Sequence, residues 1–144
     1  MLGAWLIAID LESEGMKALL KLTNEQFEYW GNELKRSTSE TIKPGDLMDY
    51  WFIMATLAQH GPNFRILKKP AFEDMIPHLK GETVRRHAGL AEKFGFVETV
   101  KSKGTTYLQL TPAGQKAVAN TLVSWVREFG KIQRKYFPET DDDS

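Results

Sequence analysis

From Phe96 to Leu110 the sequence leaves helical periodicity, and this stretch constrains the fold more than any other. Phe96-Val-Glu-Thr-Val-Lys101 and Thr105-Thr-Tyr-Leu-Gln-Leu110 are rich in β-branched and aromatic residues, and Ser102-Lys103-Gly104 separates them. The pattern predicts a β-hairpin with a basic tip. Gly95 ends the segment before it, and Thr111-Pro112-Ala113-Gly114 supplies a cap residue and a first-turn proline for a helix after it. A chain of 144 residues, 42% of them apolar, is ordinary for one globular domain. The expectation is therefore a mainly α, α+β domain in which this hairpin sits among helices.

The rest of the chain reads as helix. Leu2, Trp5, Leu6 and Ile9 follow the i, i+3, i+4, i+7 spacing, and Met16, Leu19 and Leu20 continue the stripe past Gly15. Thr23, with Gln26 three residues later, matches a capping box and predicts a second helix with Phe27, Trp30 and Leu34 inside, fading at Ser37-Thr-Ser39. Pro44-Gly45-Asp46 forms a turn, with Asp46 as N-cap of a helix carrying Leu47, Tyr50, Trp51, Met54, Leu57 and Ala58 until His60-Gly61-Pro62. Pro70 opens a short helix with Phe72, Met75, Ile76 and Leu79 inside, disturbed at Pro77. Over residues 82–94, Val84, Ala88 and Ala91 share an inner face while long cations project outward. The last helix, through Tyr136, carries Val118, Leu122, Trp125, Val126, Phe129 and Ile132, and its length suits oligomer formation.

Composition removes several function classes. Without cysteine there is no disulfide framework, zinc ribbon or thiol nucleophile, which fits a cytoplasmic protein. The apolar opening, residues 1–9, breaks too early to span a membrane, so no membrane partner is expected. Net charge is zero, yet its distribution is uneven. Residues 1–63 hold five basic against nine acidic side chains, residues 64–136 hold fourteen against six, and the last eight residues add four acids. A basic segment between two acidic ones suggests a polyanion-binding module.

Helix, short helix, turn, cation-bearing helix and basic-tipped hairpin follow the order of a winged helix-turn-helix. Thr83-Val-Arg-Arg-His87, then Leu90-Ala-Glu-Lys-Phe-Gly-Phe-Val-Glu98, then Leu110-Thr-Pro-Ala-Gly-Gln-Lys-Ala-Val118 resembles the MarR-type transcriptional regulators, over residues 46–136. The phrase after the hairpin, at the correct distance, is the more specific part. This reading divides the chain into an N-terminal dimerisation or docking segment (1–43), a DNA-binding lobe (44–111), a C-terminal dimerisation helix (112–136) and a disordered acidic tail (137–144). The expected partners are double-stranded DNA and a second copy of the chain.

An α-helix fits the DNA major groove and aims side chains at base edges. Arg85 and Arg86 are the base-reading candidates, because a guanidinium bonds bidentately to guanine O6 and N7. Thr83 and His87 can add bonds to bases or phosphates, Lys80 and Lys93 suit phosphates, and Lys101 and Lys103 on the hairpin reach the backbone or the minor groove. Trp30, Tyr50 and Trp51 are candidates for lining a small-molecule effector pocket, which the resemblance allows. Catalysis is not expected: His60, His78 and His87 have no acidic partner at ligand spacing, and no phosphate loop or nucleophile elbow appears. No metal or cofactor is expected on that ground. Two other readings stand beside the regulator. One is a winged-helix protein-interaction module docking through the acidic N-terminal half; the other is a plasmid or phage replication or maintenance factor.

Overall fold

The computed structural model describes residues 11–38, 41–68, 76 and 79–138. Its elements are α1 (Glu14–Ser37), a 3-10 turn (Pro44–Asp46), α2 (Leu47–Ala58), β1 (Arg65–Leu67), α3 (Gly81–Lys93), β2 (Val97–Ser102), β3 (Thr105–Leu110) and α4 (Pro112–Tyr136). The strands form one antiparallel sheet in the order β1-β3-β2. The chain is thus mainly helical with a small sheet, the α+β class expected from its sequence. The described residues divide after Tyr29 and after Asn120 into two compact units.

Within Trp30–Asn120, β2 and β3 pair from Val97↔Leu110 to Ser102↔Thr105, leaving Lys103 and Gly104 as a two-residue loop. Both loop residues have positive φ, 51° and 80°, the signature of the turn whose twist matches the strands it joins. β1 lies on the other side of β3 and sets Ile66 against Leu108, both buried. Beneath the sheet, Val84, Ala88 and Ala91 of α3 meet Tyr50, Ile53, Met54 and Leu57 of α2 in the same core cluster as Phe96, Val97 and Leu110.

The ends of α3 and α4 are locked together by backbone groups. Gly95, at φ 86°, lets the chain leave α3 in the left-handed region. Its N–H bonds Glu92 O at 3.1 Å, and the N–H of Phe96 bonds Ala91 O at 2.9 Å, satisfying two terminal carbonyls. Thr111 donates its N–H to Phe96 O (3.0 Å) and its hydroxyl to Gly95 O (2.6 Å), while its Oγ1 accepts the N–H of Gly114 (3.1 Å). One threonine therefore caps α4 and ties it to the exit of α3.

Several local expectations are corrected. β1 was not expected; three residues between two prolines carry too short a pattern, and the strand exists because β3 offers it an edge. The two helices expected on either side of Thr23 are one helix over its described part, and Thr23 is interior to it, donating its hydroxyl to Leu20 O at 2.6 Å. Phe27, expected inside, is exposed, whereas Trp30 and Leu34 are buried as expected. Asp46 precedes α2 but makes no side-chain cap. The expected helical stretch at residues 1–10, the acidic tail from residue 139 and most of the short helix expected after Pro70 lie outside the described residues.

In the other unit, the segments on either side of Trp30–Asn120 show inverted polarity. Gln26, Thr121 and Ser124 are buried, with Gln26 Nε2 donating to Ser124 Oγ at 3.3 Å. Leu20, Phe27, Leu122, Val123, Val126 and Phe129 are exposed, Val126 at 68%. Among the described residues no helix is long and apolar enough to cross a membrane.

Candidate functional site

The amphipathic period of α3 sorts its side chains into two faces. Val84, His87, Ala88 and Ala91 are buried, at i, i+3, i+4 and i+7. Arg85, Arg86, Gly89 and Lys93 lie on the exposed side, with Lys80 exposed just before the first turn and Thr83 between the faces. Gly89 sits between the cations, and a Cβ built there meets no atom within 4 Å. Lys101 and Lys103 are exposed on the hairpin that follows. Seven of the eight residues expected to meet DNA are thus exposed or half-exposed, all within one compact unit.

A polar brace fixes the hairpin against α3. Glu92 Oε2 accepts the N–H of Thr99 (3.2 Å) and its hydroxyl (2.8 Å), and Lys68 Nζ donates to Thr99 Oγ1 at 2.7 Å. Lys68 also lies 4.0 Å from Glu92 Oε1. These groups are exposed, so their value is positional more than energetic.

His87 does not belong to the outward set. It is 1% exposed, turned into the protein, and the expectation that it contacts bases or phosphates is withdrawn. Its Nδ1 donates to Thr83 O at 3.0 Å, and its Nε2 lies 3.0 Å from Asp46 Oδ1 and 3.3 Å from Asp49 Oδ2. The expectation that no histidine has acidic partners at ligand spacing is corrected by the same geometry, since the three ligand atoms lie within 4.8 Å of one another. Asp46 sends its carboxylate to His87 in place of the cap it was expected to make. Tyr50 stacks edge-on to His87 with centroids 5.5 Å apart. Its hydroxyl is pushed up to about 12, first by burial and then by Asp46, with Arg86 acting in the opposite sense and Asp49 adding to the rise.

A signal for His87 was present in the sequence. With Val84, Ala88 and Ala91 it completes the buried stripe; reading only apolar letters hid it. Asp46 and Asp49 lie 41 and 38 positions away, and no local spacing announces them.

The aromatic trio serves packing. Trp30 and Tyr50 are closed in the core at 2% and 1% exposure, and Trp51 packs edge-on to Trp30 with centroids 5.0 Å apart. Trp30 Nε1 donates to Leu47 O at 3.0 Å, the partner a buried indole needs. Of the three residues expected to line an effector pocket, Trp30 and Tyr50 are closed in the core and Trp51 is half-buried against it. Comparison with models of protein families, with curated proteins and with solved structures finds no match.

Proposed function

We propose that the chain is a sequence-specific regulator of transcription that binds double-stranded DNA as a homodimer through a winged helix-turn-helix of the MarR type. The observation that carries this reading is the exposed cationic face of α3. Arg85, Arg86 and Lys93 stand on the side opposite a wholly buried stripe, and the next element bears Lys101 and Lys103. In this reading α3 enters the major groove, Arg85 and Arg86 read base edges with Thr83 beside them, Lys80 and Lys93 hold phosphates, and the Lys103 turn meets the neighbouring backbone. The hairpin of β2 and β3 that follows α3, with β1 on the far edge of β3, is compatible with a wing. No catalytic step is assigned.

The homodimer is supported by the inverted polarity of the second unit, where valines, leucines and phenylalanines face water while glutamine, threonine and serine are buried. Such faces mark protein contacts. Two-fold symmetry then asks for a pseudo-palindromic site with half-sites about one helical turn, 34–36 Å, apart.

Fluorescence anisotropy of a labelled random duplex across a salt series tests DNA binding itself. Affinity should fall with log salt at a slope of about −0.9 per phosphate neutralised. Binding that is absent at low salt, or indifferent to salt, would overturn the proposal and favour a protein-interaction module.

A further inference from the structure

We infer that Asp46, Asp49 and His87 form a binding site for one divalent transition-metal ion, between the inner face of α3 and the start of α2. The inference stands on its own geometry and does not rest on the DNA-binding reading. A backbone carbonyl only accepts, so the contact from His87 Nδ1 to Thr83 O at 3.0 Å requires a hydrogen on Nδ1. Nε2 then faces Asp46 Oδ1 at 3.0 Å and Asp49 Oδ2 at 3.3 Å. Ionised carboxylate oxygens are acceptors as well, and a bare Nε2 has nothing to donate. Acceptors held this close inside a protein need a positive species between them, either a further proton or a metal ion.

Four features favour the ion. A proton on Nε2 points along one line and serves one carboxylate well, whereas two carboxylates converge here. An ion bonded at about 2.0–2.2 Å holds adjacent donors about 3 Å apart, which is the separation of each carboxylate from Nε2. The bond from Nδ1–H to a backbone carbonyl is the outer contact that fixes the tautomer and aim of metal-bound histidines. The carboxylates are 27% and 21% exposed while the imidazole is 1% exposed, so an ion reaches the site from water and keeps room for water ligands. One imidazole nitrogen with two carboxylate oxygens suits Zn²⁺, Co²⁺, Fe²⁺ or Mn²⁺ better than Ca²⁺ or Mg²⁺, which take all-oxygen shells.

The full chain, stripped of metal by a chelator and dialysed, would be titrated with Co²⁺ while its visible d–d absorption is followed. The expected result is a band that saturates at one equivalent, is displaced by Zn²⁺ and persists in millimolar Mg²⁺. Asp49→Asn and Asp46→Asn keep the shape of the site and should each weaken Co²⁺ binding about tenfold or more, with circular dichroism confirming that each variant is folded. A folded chain that gives no band would overturn the proposal and assign the bridging position to a proton. A band of unchanged strength in both asparagine variants would overturn it too, since the ion would then sit elsewhere.

Discussion

The carbonyl oxygen of Phe96 occupies the space that a side chain at Gly114 would need. Backbone thereby meets backbone where α4 starts beside the exit of α3, and Thr111 bonds both sides of that seam. An interior helix glycine replaced by alanine ordinarily gains up to about 1 kcal/mol. At Gly114 the sign reverses, because the obstruction is the backbone carbonyl of Phe96, which the N–H of Thr111 holds in place. Gly114→Ala should lose about 1–3 kcal/mol, read as a lower urea midpoint at unchanged slope.

Gly89 is the opposite case. It lies on the exposed face of α3 with nothing within 4 Å of a Cβ, so Gly89→Ala should raise stability by about 0.5–1 kcal/mol in the same urea measurement. The added methyl would stand among Arg85, Arg86 and Lys93, on the face proposed to enter the groove. A variant that is more stable yet binds duplex DNA more weakly would separate the two demands on this position.

Glu33 is buried with Oε1 accepting from Asn120 Nδ2 at 2.7 Å. Arg36 Nη1 is 2.8 Å from Oε2, close enough for an ion pair but out of line for a hydrogen bond. Asn120→Ala would leave the carboxylate without that hydrogen bond. The expected cost is about 1–3 kcal/mol, checked by chemical denaturation of the single variant beside Asn120→Asp, which places a second acceptor there and should be worse.

The exposed apolar set on α4 gives the oligomer prediction. Leu122 and Val126 are one helical turn apart and both exposed. Light scattering coupled to gel filtration should give twice the chain mass for the parent protein, and a single chain mass for Leu122→Glu combined with Val126→Glu. A parent protein that elutes as one chain at micromolar concentration would remove the homodimer.

Which elements were legible in the sequence follows from how local their causes are. The hairpin, α2, α3 and the start of α4 were readable because each carries its own period, cap or turn residue, from the β-branched runs to Thr111-Pro112. β1 was not readable: Arg65–Leu67 is a strand through its partner Leu108, not through its own pattern. Thr23 misled because a capping box is a local match, while an uninterrupted helix needed only that its hydroxyl bond back to Leu20. The outward cations of α3 followed from its inner alanines by periodicity alone. The cluster of Asp46, Asp49 and His87 did not, because tertiary packing of α2 against α3 makes it, and a histidine in an apolar stripe looks like a surface residue until its partners are known.

The measurement that bears most directly on the central claim is the affinity of the chain for a duplex selected from a random pool, relative to random duplex at the same salt, for the parent and two variants. The parent should prefer the selected duplex by about 10³-fold or more. Arg86→Ala should surrender about 1–3 kcal/mol of that preference. Lys103→Asn, which keeps a residue tolerant of positive φ in the turn, should weaken both duplexes alike. A parent ratio near one, or equal loss of preference in both variants, would contradict the account.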